Sequence, residues 1–159
     1  MKQHIQHSYR KSEIHKDKID SLFEKVKDIQ DMELESEWAK YLCVLVSGYL
    51  EVSIRTIYIE YTQNKTHKNV ANFVSSKLGG FQNPKMEMIL QHAGAFNLDW
   101  RKELENIDDE IKTSVDSIVN NRNKIAHGDN VDLSYVRIKE YYQNAIKMVQ
   151  IMKDQCNCG

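Results

Sequence analysis

Residues 34–62 leave the chain few ways to fold. The stretch holds no proline, and Tyr41, Leu42, Cys43, Val44, Leu45, Val46, Tyr49, Leu50, Val52, Ile54, Ile57, Tyr58 and Ile59 fall on almost every side of a 3.6-residue helix. A helix that is apolar nearly all round has to be buried by other elements. Its many β-branched residues would also suit a strand. The unbroken length and the Glu-rich lead-in favour a long central helix.

The rest of the chain supplies partners for it. Residues 1–30 read as a surface helix with Ile5, Ile14, Ile19, Leu22, Val26 and Ile29 spaced among charges. Residues 70–78 predict a short helix stopped by Gly79-Gly80. Asn83-Pro84 reads as an N-cap and first helical position, opening a helix with Met86, Ile89 and Leu90 that ends near Gly94, with His92 on its rim. Residues 99–125 carry the stripe Leu104, Ile107, Ile111, Val115, Ile118, Arg122, Ile125, with a cap within residues 106–109 dividing it. Asp132 is placed to cap a last helix, whose buried stripe is Tyr135, Ile138, Tyr142, Ala145, Val149 and Met152. With one Pro and six Gly in 159 residues there is little material for an all-β fold. The expectation is one all-α domain over residues 1–155, an up-and-down bundle with extra short helices, followed by a tail at 156–159.

Two departures from these patterns are more informative than the patterns. Ser47, Glu51 and Arg55, four apart, draw one polar stripe along the apolar helix, and Gly48 beside it permits close approach of another backbone. The stripe is either an internal Glu51–Arg55 pair or one wall of an active region. Arg122 stands where its own stripe asks for an apolar residue, so its guanidinium points inward, into a cleft or toward a partner chain.

Arg122 also opens the densest group of chemical side chains, Asn120-Asn121-Arg122-Asn123-Lys124-Ile125-Ala126-His127-Gly128. A guanidinium suits phosphate or carboxylate, and an imidazole moves protons near neutral pH. Gly128 is a natural helix stop just beyond His127. By spacing alone this is either a phosphate-directed acid/base site or an arginine beside a surface histidine.

The formal net charge of −1 excludes nucleic-acid binding by bulk electrostatics, so any such site is local or assembled between chains. Of three cysteines, Cys43 lies in an apolar run and reads as core, while Cys156 and Cys158 form a lone Cys-x-Cys, too few ligands for zinc. His4 and His7 share a helix face without an acidic or Cys partner, so no metal or other cofactor is expected. No disulfide framework is implied, which fits a reducing, cytoplasmic setting. The N-terminus leads into charges rather than an apolar signal, and the longest apolar run, residues 41–46, falls far short of the ~20 residues of a membrane helix.

Arg122-Asn123-x-x-x-His127-Gly128, at a helix end in a small helical chain, resembles the HEPN superfamily. Residues 45–51, with Glu51 and Arg55 in the same helix, are similar to the stand-alone HEPN domains linked with RiboL-PSP proteins. The resemblance covers about residues 10–153. It implies a HEPN-like helical bundle that dimerises and joins two motifs in one cleft. It further implies metal-independent RNA cleavage by attack of the ribose 2′-hydroxyl, leaving a 2′,3′-cyclic phosphate. His127 would be the general acid/base and Arg122 the phosphate ligand, with Asn123, Glu51, Ser47 and Arg55 in support. The setting it implies is a toxin or anti-phage effector held by an antitoxin or other regulatory protein. The alternative is a non-catalytic dimer that binds nucleotide or a partner.

Overall fold

A computed structural model describes the backbone of residues 2–158 and the side chains of residues 11–157. His4, His7 and the Cys158 side chain lie outside the described residues. Seven helices run in the order α1 (Lys2–Val26), α2 (Met32–Lys65), α3 (Lys68–Leu78), α4 (Met86–Phe96), α5 (Leu98–Glu105), α6 (Asp109–Ala126) and α7 (Tyr135–Cys158), with no strand among the described residues.

The apolar helix α2 is the axis. It packs against α1, α3, α6 and α7. Leu42, Cys43, Val46, Leu50 and Ile54 are wholly buried. Each such side chain withdrawn from water is worth roughly 1.5–3 kcal/mol. Its most apolar window is long enough to cross a membrane by length and composition, but most of that window is buried in the bundle.

Contacts between the long helices set their directions. Tyr135 Oη donates to Phe23 O (3.1 Å) and Tyr142 Oη to Asp20 Oδ1 (2.7 Å), so α7 runs opposite to α1. Tyr135 N donates to Glu35 Oε1 at 2.9 Å and Tyr142 meets Tyr49 edge-on at 5.9 Å, so α7 runs parallel to α2. Asn144 Nδ2 donates to Ser114 Oγ at 2.8 Å across the antiparallel pair α6 and α7. The result is an up-and-down bundle of α1, α2, α6 and α7. The short helices α3, α4 and α5 fill the crossing between α2 and α6.

Local signals explain most boundaries. Asp31 caps α2 by accepting from Leu34 N at 2.9 Å, and Asp108 caps α6 by accepting from Glu110 N at 2.9 Å. The latter cap divides the apolar stripe of residues 99–125 between α5 and α6. Ile138, Tyr142, Ala145, Val149 and Met152 are buried on α7 as their spacing predicts.

Two expected helix caps fail. Asn83 does not cap α4; it is in the left-handed region at φ 47, and α4 begins at Met86, whose N–H donates to Asp116 Oδ1 of α6 at 2.8 Å. A carboxylate from a neighbouring helix thus does the work expected of a local cap. Asp132 does not cap α7. Ser134 Oγ accepts from Arg137 N at 3.2 Å, and Glu35 takes the Tyr135 N–H. Helix α7 runs on past residue 155 to Cys158. Gln155 is buried, donating to Trp100 O (3.2 Å) and Glu103 Oε2 (3.0 Å), and Cys156 packs against the core as α7 continues.

Candidate functional site

The last turn of α6 is closed by a double hydrogen bond of the kind glycine favours. Gly128 N donates to Ile125 O at 3.1 Å and Asp129 N to Lys124 O at 2.9 Å, with Gly128 at φ 78. His127 is the C-cap itself, its N–H donating to Asn123 O at 3.1 Å. The geometry halts the helix at Ala126 and leaves His127, just past its end, exposed. Beyond it, buried Val131 and Leu133 pin the connection to α7, and Glu35 fixes the start of that helix.

Arg122 is half-buried one turn earlier. It continues the face of Ile111, Val115 and Ile118, all buried, as its place in the stripe requires. Its Nη1 donates to Asn123 Oδ1 at 3.3 Å, and no carboxylate pairs with it among the described residues. A guanidinium held only by a neighbouring amide keeps most of its five donors available to an anion. Arg122, Asn123 and His127 therefore form one continuous group on the end of one helix, with the cation half-sheltered and the imidazole in water.

Ser47, Glu51 and Arg55 are not brought to this group within the chain. Cys43 Sγ contacts Ile118 O at 3.5 Å where α2 and α6 cross in opposite directions. Arg122 lies one turn beyond that contact, while Glu51 lies two turns away on the other side, a separation of roughly 18 Å along the axes at 1.5 Å per residue. Glu51 and Arg55 have a different task. Arg55 Nη2 donates to Glu51 Oε1 (2.9 Å) and to Phe81 O (2.7 Å), and Asn83 N donates to Glu51 Oε2 (2.9 Å). Ser47 is buried between helices. His92 donates from Nδ1 to Met88 O at 2.9 Å and meets Phe81 edge-on, on the rim as expected.

Sequence patterns did not single out one feature near the motif. Although α2 is mostly buried, Leu34, Tyr41 and Val44 are exposed on its first half, and Trp38 lies between them with its ring edge-on to Tyr41. Leu34, Glu37, Trp38 and Tyr41 line a shallow depression of about 210 Å³. The opposed directions of α2 and α6 put this strip at the same end of the bundle as Arg122 and His127. Steps of four, three and three from Leu34 to Val44 were visible, but they merge into a helix apolar on every side.

An all-α bundle with an arginine, a polar residue and a histidine closing its sixth helix defines a HEPN-type domain. The chain belongs to the RiboL-PSP-HEPN family, whose model it matches over residues 8–157. It matches no curated protein and no solved structure.

Proposed function

We propose that this chain is a metal-independent endoribonuclease, active as a homodimer in which two Arg122–His127 groups act on one RNA phosphate. The observation that carries the reading is the intact Arg122-Asn123-x-x-x-His127 group: a half-buried arginine without a carboxylate partner, and an exposed histidine held at the helix end by the Gly128 turn. Imidazole is matched to proton transfer near neutral pH, and a guanidinium to the charge that develops on a pentavalent phosphorus.

In the proposed step one His127 takes the proton of the ribose 2′-hydroxyl as the 2′-oxygen attacks the adjacent phosphorus. The bond from phosphorus to the 5′-oxygen breaks, and His127 of the partner subunit, protonated, gives that oxygen its proton. The products are a 2′,3′-cyclic phosphate and a 5′-hydroxyl. Arg122 binds the non-bridging oxygens, and Asn123 holds Arg122 at Nη1. Two copies are needed because one chain offers a single imidazole there. They also concentrate two guanidinium groups, which gives a chain of net charge −1 a cationic groove. The exposed Leu34, Trp38, Tyr41 and Val44 strip supports the dimer, because it is an apolar surface at the end of the bundle that carries the motif. The biological role that fits such a dimer is a cytoplasmic toxin or anti-phage effector restrained by an antitoxin.

The test is cleavage of labelled RNA in EDTA. His127→Ala and Arg122→Ala should each lower the rate by on the order of 10²–10⁴ with the fold intact. Cleavage that survives both substitutions overturns the site. An RNA left whole by the unsubstituted dimer, yet bound in an Arg122-dependent manner, establishes the alternative of a binding module.

A further inference from the structure

Helix α3 presents a surface that neither the bundle nor the Arg122–His127 group uses. Residues 61–86 contain Lys65, Lys68, Lys77 and Lys85 and no Asp or Glu. This stretch therefore carries +4 while the whole chain carries −1, which leaves −5 on the remainder. Ala71 and Leu78 anchor α3 in the fold, whereas Phe73 is 62% exposed. An exposed ring continuous with an open apolar groove is the kind of patch that marks an interaction site. Phe73 borders a groove of about 230 Å³ between α3 and α4, floored by Val74, Leu78, Ala95 and Phe96. Lys77 Nζ stands over the Phe73 ring, 5.3 Å from its centre. Lys68 and Lys85 are exposed and in no ion pair among the described residues. The carboxylates on the neighbouring helices include Glu51, held by Arg55 and by Asn83 N, and Glu60, which is buried, on α2, Glu87 in the first turn of α4, and Asp99, which pairs with Lys102.

We propose that α3 and its groove with α4 form a platform for single-stranded RNA, on which Phe73 stacks a base while Lys68 and Lys77 meet the flanking phosphates. Aromatic stacking binds any base, and lysines follow the backbone without reading sequence. An acid-free cationic block favours a polyanion over an apolar peptide as the occupant. The choice of RNA among single-stranded polyanions rests on the ribonuclease reading. The platform lies far from the cutting group: α3 folds back on the C-terminal half of α2, and Arg122 crosses its N-terminal half. That is roughly 30 Å at 1.5 Å per residue. It therefore grips the strand several nucleotides from the scissile phosphate and contributes to affinity rather than to the chemical step.

The experiment measures anisotropy of a fluorescein-labelled twelve-nucleotide RNA with the full chain carrying His127→Ala, at 50–200 mM salt. Adding Phe73→Ala should weaken binding at least five-fold, since loss of a stacked base costs that much. Adding Lys68→Gln and Lys77→Gln should flatten the dependence of log K on log salt by ~0.7 per lysine. All three positions are exposed, so circular dichroism and melting should be unchanged. Affinity and salt slope indistinguishable from the parent overturn the platform and leave the groove to a protein partner. Phe73-dependent binding without cleavage by the unsubstituted chain removes the ribonuclease reading and leaves the platform. Cleavage with Phe73-indifferent binding does the reverse.

Discussion

Arg55 and Glu51, joined at 2.9 Å one helical turn apart, grip the turn between α3 and α4 rather than the Arg122–His127 group. Their charges are partly sheltered and answered by each other and by two backbone groups, the Phe81 carbonyl and the Asn83 N–H. The clamp holds Phe81 in the core and sets the approach of α4, whose first N–H then meets Asp116. Removing one partner leaves the other charged with a lost hydrogen bond. Arg55→Met should lower stability by about 1–3 kcal/mol in urea unfolding. Glu51→Gln, which keeps an acceptor for Asn83, should cost less. Neither should lower the cleavage rate of the folded chain more than a few-fold. A Glu51→Gln variant of full stability but without activity would return Glu51 to the catalytic group.

Gly128 ties the fold to the site. At φ 78 it lies where a side chain crowds the backbone, although no atom stands within 4 Å of the place a Cβ would occupy. Conformation alone therefore sets the penalty. Gly128→Ala should destabilise by roughly 1–2 kcal/mol, and Gly128→Asn by less, since Asn tolerates this region. Because the same turn ends α6 at His127, the alanine variant should also lose activity in proportion to the unravelling of that turn. Urea unfolding and RNA cleavage measured on both variants check the order alanine below asparagine below glycine.

The apolar strip on α2 makes a separate demand. If Leu34, Trp38 and Tyr41 form the contact between copies, a charge placed among them must weaken the dimer without unfolding the chain. Tyr41 is 45% exposed, so Tyr41→Glu leaves the core of the bundle untouched. Light scattering after gel filtration should show a dimer for the parent and a monomer for Leu34→Glu/Tyr41→Glu, and cleavage should fall to background with it. A dimer that survives the double substitution places the interface elsewhere.

Periodicity carried much of the fold, and the reason is physical. The stripes on α6 and α7 repeat every three or four residues because one face of each meets α2, so Ile111, Val115, Ile118, Ile138, Tyr142 and Val149 could be named from spacing alone. Capping was less legible because it depends on what the bundle brings close. Asp116 and Glu35 satisfy the first N–H groups of α4 and α7 across the fold, 30 and 100 residues away in sequence, and no local pattern announces that. The Arg-Asn-x-x-x-His group was legible because it is contiguous on one helix end. The Glu51–Arg55 stripe was visible, but its orientation was not. A polar stripe on a buried helix shows that a partner exists without saying whether that partner is a turn or a site. The exposed strip of Leu34, Trp38, Tyr41 and Val44 was hidden for the opposite reason, since α2 is apolar on its buried side as well.

Cys43 tests how firmly the centre of the bundle is closed. It is buried on α2 with its thiol directed at the Ile118 carbonyl, and burial pushes the thiol up to about 12 from an ordinary value of 9.0. The folded state therefore holds the neutral thiol, while the unfolded chain gives up the proton near the ordinary value. The corresponding stability is fully present below about pH 9 and is lost as pH rises from there toward 12. Between pH 8.5 and 10.5 the parent should lose on the order of 1–2 kcal/mol more than Cys43→Ala, a difference that cancels the tyrosine and lysine ionisations common to both. Urea unfolding of the two chains across that range measures it. At pH 8 Cys43 should also resist iodoacetamide in the native chain and react once urea exposes it, as peptide mapping by mass spectrometry would show. Rapid native alkylation of Cys43 would mean that α2 and α6 separate far more readily than a wholly buried contact allows.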